Sequence, residues 1–273
     1  MPSAPELVNP NAGHWKWLAY ELRFQRMRSG MSQAQAGVIA KADRKSVQNW
    51  EAARHRPPQD SLRRLDEAWE TGGLLARIFF YAAQTPDTEW YEDYLSYERT
   101  SRQLRIYGGQ VIPALFQTEG YMRACFKEAG VKDIDGAASE RMGRQRAVLQ
   151  RTEPPWIVLL LDECVLRRHA GGPEVMKDQY AALLEYGELN HIIIRVIPDS
   201  AGTHVGLEGS FTYLITDDFD LVLIASPDAD TRMLTTRDDL ADFQVRYDRI
   251  SAKALSPEDT QGMIRHLMEE VRL

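Results

Sequence analysis

Residues 31–58 read MSQAQAGVIAKADRKSVQNWEAARHRPP and contain two helix starts. Ser32 is a favourable N-cap, so the pattern predicts a short helix over residues 33–40. Asp43 is a second N-cap and predicts another helix over residues 44–52, with Val47 and Trp50 on its inner face. Two helices of about two turns each, joined by a three- or four-residue turn, form a helix-turn-helix unit.

The outer face of the second predicted helix carries side chains that can hydrogen-bond DNA. Arginine and lysine would reach guanine edges or phosphates, glutamine or asparagine would read adenine, and Gln33 would clamp the DNA backbone. The alternative is an ordinary solvated helix face, but the spacing, both caps and the basic tail after the helix all favour DNA binding. The predicted DNA contacts are Gln33, Arg44, Lys45, Ser46, Gln48, Asn49, Arg54 and Arg56.

This stretch resembles the DNA-binding domain of the phage-repressor (Xre/Cro) family. The resemblance rests on Ser-Gln at 32–33, the apolar-acidic pair at 50–51 and the basic run that ends in proline at 57. The sequence departs from the family in the turn, where Lys41 replaces the usual glycine, and at Ala36, where the family has leucine. With lysine at this position, the turn either avoids a left-handed residue or strains one.

Charge is distributed unevenly along the 273 residues, whose net charge is −7. Residues 12–64 contain eleven Lys and Arg against four acidic residues, which gives +7, and the rest of the chain carries −14. A basic head on an acidic body is expected of a DNA reader with a separate protein-facing or sensing domain.

The pattern of elements predicts an α+β protein, with an N-terminal all-α helix-turn-helix domain and a mixed α/β C-terminal domain. Strand, helix and strand signals at 156–162, 174–186 and 191–197 predict a βαβ unit, and 209–215 with 221–225 predict a hairpin. The predicted organisation is a flexible arm at 1–13, a helix-turn-helix domain at 14–73, a linker helix at 74–84, and a regulatory and partner-binding domain at 85–273.

The sequence gives no sign of a membrane or an oxidising compartment. The first 13 residues lack a signal-peptide pattern, and the longest apolar run, 156–161, is far too short to span a bilayer. Cys125 and Cys164 are expected to be reduced, buried thiols. We therefore expect a cytoplasmic protein that does not bind membranes.

No pattern in the chain predicts an active site. Asp162 and Glu163 are adjacent on a predicted strand, where neighbouring side chains point to opposite faces, so a cap or a salt bridge is the better interpretation. His169, His191 and His204 lack the spacing of metal ligands. We expect no catalytic activity, no metal and no cofactor.

The second half resembles an uncharacterised, DUF5753-like C-terminal domain of actinobacterial Xre-type regulators, which include WhiJ-like developmental and antitoxin-like regulators. The blocks that carry this resemblance are WYEDYLSYE (90–98), QVIPALFQTEGYMRA (110–124), RMGRQ (141–145), LDECVLRR (161–168), GGPEVMKDQ (171–179) and ALSPEDTQGMI (254–264). The resemblance implies a transcriptional regulator with a small BldB-like partner protein, and DNA readers of this kind are expected to be homodimers. The alternative is a regulator whose C-terminal domain senses a small molecule.

Overall fold

The computed structural model describes residues 8–84, 89–217, 220–224, 232–235 and 237–271. The chain divides into two units, Met1–Tyr94 and Leu95–Leu273. The first unit is helical, and the second contains a six-stranded mixed sheet with helices, which confirms the predicted fold class. The predicted domain start at residue 85 and the first seven residues of the predicted arm lie outside the described residues.

Between residues 8 and 84 the first unit contains five α-helices. They are α1 (His14–Arg28), α2 (Gln33–Ala40), α3 (Arg44–Glu51), α4 (Gln59–Ala68) and α5 (Leu74–Gln84). Helices α2 and α3 have the predicted bounds except that α3 ends one residue earlier. Residues 41–43 join them, as a helix-turn-helix unit requires.

Local capping explains where α2 and α3 begin. The hydroxyl of Ser32 accepts the N–H of Gln35 at 3.2 Å, and the Gln35 side chain accepts the N–H of Ser32 at 2.8 Å. This reciprocal pair satisfies two helix-terminal donors at once. At the start of α3, the Asp43 carboxylate accepts the N–H of Ser46 at 2.7 Å. Both N-caps predicted from the sequence are confirmed.

The helices of the first unit enclose a continuous apolar core. Val47 and Trp50 are buried on the inner face of α3, as predicted. Trp50 belongs to the same cluster as the small residues Ala36 and Ala40 of α2. The cluster also includes Leu18, Leu22, Leu62, Leu65, Leu75 and Ile78. Burial of this apolar surface is the main term that holds α3 in place.

The second unit alternates strands and helices. Its strands are β1 (Gln103–Gly108), β2 (Trp156–Asp162), β3 (Ile192–Ile197), β4 (Phe211–Ile215), β5 (Asp220–Ile224) and β6 (Arg232–Leu234). Its helices are α7 (Glu119–Glu128), α8 (Ile134–Leu149), α9 (Glu163–Arg167), α10 (Pro173–Gly187), α11 (Arg237–Ser251) and α12 (Pro257–Glu270), and the preceding helix α6 (Glu89–Thr100) spans the division between the units.

The sheet has the order β3-β2-β1-β4-β5-β6. Strands β1, β2 and β3 are parallel, whereas β4, β5 and β6 pair antiparallel. Because a parallel pair needs a crossover, α10 connects β2 to β3, which confirms the predicted βαβ unit. The predicted hairpin is confirmed by the β4–β5 pair. The order leaves β3 at one end of the sheet.

Buried aromatic and aliphatic side chains fix one face of this sheet. Tyr107 of β1, Phe211 of β4 and Tyr247 of α11 belong to one core cluster, together with Leu160, Ile197, Tyr213, Val222 and Ile250. Within the described ranges, every helix is too short or too polar to cross a bilayer.

Candidate nucleic-acid interface

The outward face of α3 carries three of the predicted DNA-contacting side chains. Arg44, Lys45 and Gln48 are exposed, and Ser46 is half-buried. The hydroxyl and the main-chain N–H of Ser46 both donate to the carboxylate of Asp43, and these bonds lower the pKa of Asp43. Ser46 therefore stabilises the start of α3 through the cap.

Asn49 does not lie on the exposed face. Its exposed fraction is 8%, although helical periodicity predicted an outward position. The chain reverses after α3 at Ala53, whose φ is 54°. The N–H groups of Arg54 and His55 then donate to the Asn49 carbonyl at 2.9 and 3.4 Å. Asn49 is therefore buried and Gln48 is the amide on the exposed face of α3, while adenine recognition by Asn49 stays a prediction.

A buried ion pair joins the ends of α1 and α3. The guanidinium of Arg26 donates two hydrogen bonds to the Glu51 carboxylate, the Nη2–Oε2 bond being 2.9 Å long. Arg26 also donates to the main-chain oxygen of Met31 at 2.8 Å. Glu51 is only 5% exposed, so its charge depends on this partner. No local sequence pattern predicts the pair, because its residues are 25 positions apart.

Gln33 joins the same network at the start of α2. Its side-chain N–H₂ donates to Glu51 Oε2 at 2.9 Å. An amide nitrogen carries a second hydrogen, so this bond is compatible with the predicted contact to a DNA phosphate. Glu51, the last residue of α3, thus links the first residue of α2 to a side chain of α1.

The turn between α2 and α3 is tight and contains a strained residue. Lys41 adopts the left-handed conformation, with φ 53° and ψ 43°. A Cβ on Gly37 would lie 2.7 Å from the carbonyl oxygen of Ala42, so only glycine lets the turn approach α2 this closely. Of the two alternatives that the sequence left open for Lys41, the structure therefore shows the strained one.

The basic tail after α3 lies beside α1. Arg54 is exposed, and Arg56 is half-buried with its guanidinium carbon 4.2 Å from the centre of the Trp15 ring. This cation–π contact fixes the position of the Arg56 charge beside the first turn of α1. The sequence predicted that both arginines contact phosphate but did not predict the contact with Trp15.

In the second unit, the adjacent carboxylates Asp162 and Glu163 bind different partners. Tyr107 donates its hydroxyl to Asp162 at 2.6 Å, and His204 Nε2 lies 3.1 Å from the other carboxylate oxygen. Glu163 accepts the N–H of Asp199 at 2.9 Å and forms an ion pair with Arg167. The two side chains do not converge on one site.

Two cysteines are the other reactive side chains considered in the described residues. Cys125 and Cys164 are both free thiols, and burial raises the pKa of each. The part of the chain that the structure describes holds no group of three or more His, Cys, Asp or Glu residues that could bind a metal ion.

The protein consists of two units. One is helical and exposes a basic helix, and the other contains a mixed sheet. The chain belongs to the family described as Domain of unknown function (DUF5753), which matches residues 91–266. The match lies almost entirely in the second unit and begins after α5. No curated protein matches the sequence.

Proposed function

We propose that this protein is a sequence-specific DNA-binding transcriptional regulator, with α2 and α3 as its helix-turn-helix. The observation that carries the proposal is the short capped helix α3, which is fixed by Val47 and Trp50 and exposes Arg44, Lys45 and Gln48. A second helix of this kind enters the DNA major groove with its N-terminal residues at the base edges. The +7 charge of residues 12–64 supports the same proposal.

Each exposed side chain receives a role from its chemistry. Arg44 and Lys45 donate to guanine edges or to phosphates, and Gln48 forms paired hydrogen bonds with adenine. Gln33 and the tail residues Arg54 and Arg56 contact the phosphate backbone. Such phosphate contacts fix the register of the protein on the duplex and carry no sequence information.

The second unit would regulate this activity through a protein partner. Its acidic charge repels DNA, and the family resemblance implies a small BldB-like partner. We further propose a homodimer whose contact lies mainly in residues 85–273, because one helix-turn-helix touches too few base pairs for genomic specificity. A DNA operator as the ligand also implies a cytoplasmic location.

The proposal is tested with an operator selected from a random DNA library by the full-length protein. Fluorescence anisotropy then gives the affinity of the wild type, Arg44→Ala and the double variant Arg44→Ala/Lys45→Ala. Removal of a side chain that reads a base should weaken the binding free energy by about 1–3 kcal/mol and relax specificity at one base position. Removal of a phosphate contact should reduce the slope of the salt dependence of binding by about 1. The matched control is Arg77→Ala on α5, which removes one exposed arginine from the same unit.

The outcomes separate the parts of the proposal. Equal operator affinity of the double variant and the wild type would exclude α3 as the DNA-reading helix. Light scattering that shows a monomer both free and on a palindromic operator would exclude the homodimer. If a co-purified partner binds with the same affinity in the presence and absence of operator, it does not regulate DNA binding, since allosteric coupling is reciprocal.

A further inference from the structure

A groove opens beside β3, the strand at one edge of the sheet. Its floor is β3 at residues 192–194, one wall is the end of α10 with residues 187–190, and the other wall is α12. Its volume is about 210 Å³. Leu183 and Ile264 make its inner surface apolar, and Leu189, which is 42% exposed, also lines it.

The main chain of β3 directs alternate residues toward this groove. Ile157 of β2 donates its N–H to the carbonyl of His191 at 2.8 Å, in a parallel pair where Ile157 lies opposite Ile192. In a parallel ladder, the odd-numbered residues 191, 193 and 195 then bond to β2. The N–H and C=O groups of residues 192, 194 and 196 therefore point away from the sheet.

Residues of α12 and of the neighbouring loops satisfy only part of this outer edge. The Val196 N–H donates to Thr260 Oγ1 at 3.0 Å, and its carbonyl accepts the N–H of Leu255 at 2.8 Å. The Ile192 N–H donates to the carbonyl of Leu189 at 2.9 Å. Among the described residues, none bonds to the Ile192 carbonyl or to the N–H and carbonyl of Ile194.

We propose that this groove binds an extended peptide segment of a partner protein, which adds a short strand to the edge of β3. The Ile192 carbonyl, the Ile194 N–H and the Ile194 carbonyl form the acceptor, donor, acceptor series that an extended main chain complements. Buried main-chain groups are nearly always hydrogen-bonded in proteins, so an occupant that supplies these bonds is favoured.

The shape of the groove selects a single extended chain over a second copy of this protein. The β3 edge lies between α10 and α12, and the same helices flank the β3 edge of any second copy. Two such concave edges cannot meet, whereas one isolated strand can enter. The apolar inner surface would take the inward-pointing side chain of the peptide. At the rim, Gln261 donates to Glu188 at 3.3 Å, and these exposed or half-buried side chains offer polar contacts to the next residue.

The inference rests on the proposed function in one respect, because it assigns a surface to the partner of that regulator. Its test measures peptide binding without DNA, so the two can fail independently. Amide hydrogen exchange in the free, full-length protein comes first. The Ile194 amide should exchange at least tenfold faster than those of Ile193 and Arg195, which bond to β2. Equal protection of all three amides from hydrogen exchange would show that the outer edge of β3 is not open.

The second step uses linear twelve-residue peptides selected by phage display against the full-length protein and then synthesised. The affinity of a selected peptide is measured by fluorescence anisotropy for the wild type, Gln261→Trp, which fills the groove, and His266→Trp, a matched change at an exposed position of α12. Affinity should fall at least tenfold for Gln261→Trp and stay within twofold for His266→Trp.

Backbone N-methylation of the peptide distinguishes strand addition from side-chain binding. Methyl groups at alternate residues should each weaken binding at least tenfold, while methyl groups at the residues between them should have little effect. The proposal would be overturned if methyl groups at all peptide positions weakened binding equally, or if the peptide bound Gln261→Trp as tightly as the wild type. A selection that yields no binding peptide would also overturn it. So would a change from dimer to monomer caused by Gln261→Trp, because the occupant would then be a second copy.

Discussion

The ion pair between Arg26 and Glu51 allows a quantitative test of what holds α3 in place. Replacement of Arg26 by methionine keeps most of the side-chain volume and removes the charge. The Glu51 carboxylate accepts three side-chain hydrogen bonds, two from Arg26 and one from Gln33. The replacement removes the two from Arg26 and leaves the one from Gln33. At 5% exposure, this carboxylate cannot recover its lost bonds from water.

The expected cost follows from this burial. Removal of one partner from a buried ion pair destabilises a protein by about 3–5 kcal/mol, because a charge remains uncompensated. Replacement of both partners by apolar residues is often nearly neutral, so Arg26→Met/Glu51→Met should be more stable than either single variant. The control is Arg63→Met on α4, whose pair with Asp60 is 60% and 67% exposed with a separation of 3.7 Å. An exposed pair of this kind contributes about 0–1 kcal/mol.

Urea denaturation followed by tryptophan fluorescence measures these differences. Five of the six tryptophans lie in the first unit and one, Trp156, lies in the second, so the signal reports mainly the unfolding of the first unit. A loss of less than about 1 kcal/mol for Arg26→Met would refute the reasoning. So would a double variant whose loss equals the sum of the two single losses, since uncoupled residues are additive.

Two further substitutions and one reactivity measurement have expected outcomes. Lys41→Gly should raise the unfolding free energy by roughly 0.5–1 kcal/mol in urea denaturation, because the left-handed conformation costs an L-residue about 1–2 kcal/mol and glycine loses part of this gain to chain entropy. Asp66→Ala should lower the unfolding free energy by about 2–4 kcal/mol in the same assay, since the carboxylate accepts two main-chain N–H bonds of 2.9 Å at the start of α5. Cys125 and Cys164 should react with a thiol reagent at pH 8 much more slowly in the folded protein than in urea, because burial raises the pKa of both thiols and thiolate is the reactive form.

Local signals in the sequence were sufficient for α2, α3 and the βαβ unit. The Ser32 and Asp43 caps act on N–H groups three residues away, so the information lies within one helical turn. Strand β2 is apolar on both faces, and the helix between β2 and β3 begins at Pro173, a favoured first helical residue. Periodicity and capping therefore predicted these elements to within a residue or two.

Contacts between distant residues could not be predicted in the same way. Arg26 and Glu51 meet only because α1 packs beside α3, and no local pattern encodes that approach. The chain reversal at Ala53, next to the Asn49 carbonyl, could not be predicted either, because a positive φ at a non-glycine residue leaves no signal in the sequence. Strand β6 has three residues, too few for an alternating pattern to be distinguished from a loop.

The exposed face of α3 allows function to be separated from stability in the first unit. Arg44 and Gln48 are exposed, and changes at exposed helix positions usually alter stability by less than about 0.5 kcal/mol. A loss of about 1–3 kcal/mol in operator binding by Arg44→Ala, at an unchanged unfolding free energy, would therefore reflect a lost DNA contact. The same loss in Arg26→Met would reflect a displaced or unfolded α3. Comparison of the two variants thus distinguishes a residue that contacts DNA from one that positions the helix.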